Sequence, residues 1–249
     1  MLDTMDLLFG KPLKVTEKVS LHVPTVEDVA YTEKYSAYTQ PFITTTRQMF
    51  SSLAEVDKLE AEFPTIWGMA FHEEGNVILG QMFGGETGIN IIIEALSYWT
   101  KLDVESFKAL SNRKIVNKEA NWIIDEEVFN SIGKCVKEII GYEPDLDLIA
   151  PKNMSERQLD IWKKTYKGRM RNRQKNSITF ADKIMILSIS MDAYIPIDEI
   201  RKMTIYYFNK LYEGLSEKES YEKQWEVKMS PKFDSGNGTI KHWKESFKG

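Results

Sequence analysis

The chain has 249 residues, 42% of them hydrophobic and 12% aromatic, enough apolar surface for a sizeable core and too much for general disorder. A net charge of −4 argues against overall attraction to nucleic acid or to an anionic membrane. The single cysteine, Cys135, excludes an intrachain disulfide.

Pro12 to Val15 and Val19 to Val23 read as two short strands around Thr16-Glu17-Lys18. Val19, Leu21 and Val23 alternate with polar positions, as in a half-buried strand, and His22 then points to solvent. Thr25 can cap a helix whose first turn holds Glu27 and Asp28, placed well for the helix dipole. Pro41 interrupts the next region. A helix from about Thr46 to Glu62 follows, with Met49, Phe50, Leu53 and Val56 inward. Residues 64 to 86 carry no clear period; a hairpin around Glu73-Glu74-Gly75-Asn76 competes with irregular structure and short helices, and the latter is favoured. Thr87 to Lys101 is a better helix, with Ile89, Ile92, Ile93, Leu96 and Trp99 on one side.

Ile115-Val116 and Trp122 to Ile124 flank Lys118-Glu119 as a second hairpin. Asp125 caps a helix presenting Phe129, Ile132, Val136, Ile139 and Ile140, and Gly141 ends it. Cys135 beside that stripe reads as a small buried side chain, not a nucleophile. Residues 142 to 154 are charged, contain two prolines and have no period, so they mark the expected boundary between regions 1–150 and 151–249. Ser155 and Gln158 form a capping box for a helix with the stripe Leu159, Trp162, Tyr166, Met170.

Three further stripes follow. The first is Phe180, Ile184, Leu187, Met191. The second is Ile197, Ile200, Thr204, Tyr207, Phe208, Leu211, started by Pro196. The third is Tyr221, Trp225, Met229, started by a Ser216/Glu219 capping box and stopped by Gly236-Asn237-Gly238. The expected fold is α+β, predominantly α-helical with two small β-hairpins.

No catalytic signature emerges, and the expectation is a protein that is not an enzyme. His22, His72 and His242 are far apart, with no second ligand at metal-binding spacing, so no metal is expected. Gly80, Gly84, Gly85 and Gly88 lack the phosphate-loop pattern and read as a turn, so no cofactor is expected. Val77 to Leu96 contains Gln81, Glu86, Asn90 and Glu94 and is too polar to span a membrane, and Asp3 and Asp6 oppose a signal peptide.

Two sets of residues could meet a partner. Lys163, Lys164, Lys167, Arg169, Arg171, Arg173 and Lys175 form a basic run, read as a solvated face or a contact for an acidic partner, with nucleic acid as the alternative. Trp162, Tyr166, Tyr206, Tyr207, Tyr212, Trp225 and Trp243 lie on or beside the stripes. Tyr206-Tyr207-Phe208 cannot all face one way on a helix, so some aromatics must be partly exposed, which favours protein partners.

Asp182 to Leu187, Met203-Thr204-Ile205-Tyr206-Tyr207-Phe208, Leu211-Tyr212 and the closing Ile240-Lys241-His242-Trp243 resemble the C-terminal part of siphophage tail assembly chaperone-like proteins of Gram-positive hosts. Gly10-Lys11-Pro12-Leu13, the strand Val19 to Val23 and Pro24-Thr25-Val26-Glu27-Asp28-Val29 look like that family's opening. The resemblance implies a protein of the host bacterial cytoplasm that binds the tape measure protein, or another tail protein, during tail morphogenesis, and it implies no catalytic residues. A nucleic-acid-binding phage protein and a structural virion component are the alternatives, and a homo-oligomer is compatible with any of them.

Overall fold

The computed structural model describes residues 3–190, 194–230 and 240–247. It is 62% helical with two small antiparallel sheets, hence α+β and mainly helical, as the sequence predicts.

Helix α1 (Thr4–Leu8) leads into a hairpin of β1 (Leu13–Lys14) and β2 (Ser20–Leu21), where buried Leu13 pairs with buried Leu21. At α2 (Val26–Tyr31), Thr25 and Asp28 cap each other's backbone N–H groups. Pro41 does not interrupt the chain; it sits inside α3 (Tyr35–Ile43). The helix loses one donor there and still buries Pro41, Phe42 and Ile43.

The helix predicted over 46–62 is two helices, α4 (Thr46–Met49) and α5 (Val56–Glu62), and Leu53 between them is exposed. The break has a tertiary cause. Ser51 Oγ accepts from Ala150 N at 3.1 Å, and the Ser51 carbonyl accepts from the Trp162 indole at 2.7 Å. Those partners hold the backbone where a continuous helix would carry it away.

Residues 64–86 form α6 (Ile66–Ala70) and α7 (Glu73–Phe83), followed by α8 (Gly88–Thr100). The glycines let these helices touch: a Cβ on Gly80 would lie 2.6 Å from the Glu86 carbonyl oxygen. Ile91, Ile92, Ala95, Leu96 and Trp99 of α8 are wholly buried, because α3 and α7 both pack on this helix.

The second sheet has three strands, β3 (Phe107–Leu110), β4 (Lys114–Asn117) and β5 (Trp122–Ile124), one more than the predicted hairpin. Helix α9 (Glu126–Ile140) is capped by Asp125 and ended by Gly141 in the left-handed region, φ 60°. After residues 142–155 come α10 (Glu156–Lys175), α11 (Phe180–Ser190), α12 (Ile197–Ile200) and α13 (Ile205–Met229).

Two helix boundaries in this last part differ from expectation. The 197–211 stripe breaks before Ile205 because Thr204 bridges Thr25, Val26 N donates to Met203 O, and Ile205 N donates to Pro24 O. No break occurs at Ser216. Its hydroxyl donates to Tyr212 O within α13, so it never caps a new helix. Met191 and Gly236-Asn237-Gly238 lie outside the described residues. One apolar cluster runs from Leu7 to Leu215 and includes residues of most elements.

His22 does not point to solvent. It is half-buried against Tyr98 and Trp99, with Nδ1 3.1 Å from the Trp99 carbonyl, so Nδ1 carries the proton and donates. Its buried Nε2 has no hydrogen-bond partner among the described residues. Burial, chiefly, pushes the imidazole below its ordinary value, with Lys101 in support; the Trp99 carbonyl and Asp28 oppose. The unfolded chain therefore takes up this proton first as the pH falls below about 6.5, and stability declines from there through the lowered folded value. His22→Phe is expected to flatten the fall in melting temperature between about pH 7 and 5. Parallel melting-versus-pH curves for the two proteins would contradict this account.

Candidate partner-binding surface

Helix α10 is laid against the body of the protein by one side only. Trp162 is 9% exposed and its indole N–H bonds Ser51, so this aromatic lies in the core. Tyr166 packs beside it at 5.9 Å between ring centroids, and the Arg169 guanidinium covers the Trp162 ring at 5.8 Å. Arg169 also pairs with Asp147, and Arg173 pairs with Asp145. These two arginines clamp α10 to residues 142–155. Lys163, Lys164, Lys167, Arg171 and Lys175 are exposed on the other side and form no ion pair among the described residues.

On α13 the predicted aromatics separate. Tyr206 and Tyr212 line a groove of about 680 Å³ between the end of α9, α1 and α13. Asn209 donates to Ile140 O at 2.9 Å and fixes one wall. Lys183 lies over the Tyr212 ring at 5.1 Å, and Lys210 bonds Glu213 at 2.7 Å. That bond holds the Lys210 ammonium above its ordinary value. Tyr207 faces elsewhere and is 38% exposed, while Phe208 between them is buried.

The distal half of α13 carries a second apolar surface. Tyr221 and Trp225 pack edge to face at 6.2 Å, and Met229 continues the line. His242 lies 4.9 Å from the Tyr221 ring and stacks on Trp243 at 5.7 Å. Trp225 is 39% exposed and Met229 is 76% exposed.

Met185 and Ile189 were not singled out from the sequence. They stand one turn apart on the outer side of α11, with Tyr194 and Ile197 exposed beyond them. The signal was available: Ile184 to Ile189 is apolar on every side but Ser188, more than one inward face needs.

Cys135 is half-buried, and burial pushes its thiol up, away from the nucleophilic range. Among the described residues no three His, Cys, Asp or Glu side chains gather as metal ligands would, and no helix is long and apolar enough to cross a membrane.

Over its C-terminal third the chain is similar to a phage- and prophage-associated class of protein. The similarity is to the YomV second domain, whose family model matches residues 172–248, from the last turn of α10 through α11, α12 and α13 to the turn Trp243–Phe247. No curated protein and no solved structure matches the chain.

Proposed function

We propose that this is a phage assembly protein without catalytic activity, a tail assembly chaperone that holds the tape measure protein in the host cytoplasm before the tail tube encloses it. The observation that carries the reading is the apolar surface left uncovered on the region similar to a phage-associated family: Met185, Ile189, Tyr194, Tyr207, Trp225 and Met229. A long amphipathic helix shares that need for cover, since its own apolar stripe invites aggregation. Laying such a helix along these faces satisfies both surfaces.

Co-expression with the tape measure protein tests it. The two are expected to co-purify, and the tape measure protein to gain solubility. Trp225→Glu with Met229→Glu is expected to weaken capture at least about tenfold, the loss of two anchor side chains. Independent behaviour of the two proteins, with no solubility gain, would remove the proposal.

A further inference from the structure

We propose that the outer face of α10 binds the phosphate backbone of nucleic acid, without reading base sequence, through Lys163, Lys164, Lys167, Arg171 and Lys175. At about 100° per residue these five fall within an arc of roughly 120°, spread over about 18 Å of helix. All five are exposed and free of ion pairs among the described residues. The acidic residues of α10, Glu156 and Asp160, both precede the strip. Lys163, Lys167, Arg171 and Lys175 repeat every fourth residue, a charge about every 6 Å along the axis in a row that winds across that arc.

The seven basic residues thus divide by job. Arg169 and Arg173 are consumed by Asp147 and Asp145, and with Trp162 they fix the helix in place. Lysine and arginine side chains repel one another along such a row; Asp160 faces its first two members, Lys163 and Lys164, one turn away, and no carboxylate of α10 stands beside Lys167, Arg171 and Lys175. A rigidly seated row of like charges favours a polyanion, whose binding releases counterions.

The composition of the face selects among polyanions. Protein interfaces concentrate aromatic residues and are depleted in lysine. This strip has four lysines, one arginine and no aromatic ring. It also lacks a platform for stacking bases, which leaves backbone phosphates as the contact. The apolar side of α10 is turned into the core at Trp162, so the helix cannot lie in a membrane interface by that side.

The inference does not depend on the tape measure reading and is tested separately, by fluorescence anisotropy of the full chain with a short labelled DNA duplex. Binding is expected at low salt, weakening about 10²-fold between about 50 and 200 mM salt, as about four phosphate contacts require. Lys163→Gln, Lys167→Gln and Arg171→Gln together are expected to shrink the salt slope by about 3 and to leave the melting temperature unchanged. Arg173→Gln should do the reverse, keeping affinity while lowering the melting temperature. Absence of binding at low salt overturns the proposal, as does binding unaffected by the triple change. So does stronger binding to polyglutamate, or to vesicles of anionic lipid, than to the duplex.

Discussion

Trp99→Ala is expected to remove about 4 kcal/mol of stability, a large part of the roughly 5–15 kcal/mol that holds a protein folded. Trp99 is fully buried on α8, where Tyr35, Tyr98 and His22 surround it. Its indole N–H donates to Tyr38 O at 3.0 Å and ties α8 to α3. Truncation leaves a large void and removes the indole's bond to α3. Trp99→Phe keeps most of the volume and loses the bond, so about 1–2 kcal/mol should separate it from the parent. Urea unfolding followed by circular dichroism measures both. A cost under about 1.5 kcal/mol for Trp99→Ala would mean that α3 and α8 close over the gap, which the packing described above does not allow.

Arg47→Ala is the second large effect, expected at about 2–3 kcal/mol, because the arginine is buried while the carboxylates it leaves behind are partly exposed to water. Arg47 is 6% exposed, and all five of its N–H groups are used. Nε and Nη2 donate to Glu60, Nη2 also to Asp57, and Nη1 donates to the carbonyls of Ala150 and Pro151 at 2.9 and 3.1 Å. Arg47→Lys should restore little, because an ammonium cannot span two carboxylates and two carbonyls in one plane. The pH dependence has a definite sign. Hydrogen bonds from Arg47, chiefly, hold the Asp57 and Glu60 carboxyls below their ordinary range. Their contribution is present above about pH 4.5 and is lost as the pH falls through the lowered folded values. The parent should therefore lose stability more steeply with acid than Arg47→Ala. Equal acid slopes would separate the cluster from stability.

What the residue order revealed, and what it hid, follows from the range of each interaction. The caps at Thr25, Asp125 and Ser155 were legible because each side chain bonds a backbone N–H three residues on. The stop at Gly141 is local in the same way. The break after Met49 was not legible, since Ser51 finds its partners at Ala150 and Trp162, about a hundred residues later. Ser216 misled for the converse reason: it satisfies its hydroxyl inside the helix, at Tyr212 O. Strand β3 was missed because Phe107-Lys108-Ala109-Leu110 is short and only its pairing with β4 marks it as a strand. The aromatic and basic residues could be picked out by type. Their sorting could not, because the division of Arg169 and Arg173 from the free lysines depends on Asp145 and Asp147, which approach only in the folded chain.

The stitch between Thr25 and Thr204 sets an order of events in synthesis. Val26 and Glu27 wait for the carbonyls of Met203 and Arg201, and Pro24 waits for the N–H of Ile205. A nascent chain cannot complete the surroundings of α2 until Ile205 has left the ribosome. Contacts so distant along the chain close slowly and leave apolar strips bare meanwhile. A stop codon ahead of Thr204 would therefore strand the amino-terminal part half-made, prey to proteases, and would not yield a smaller working protein.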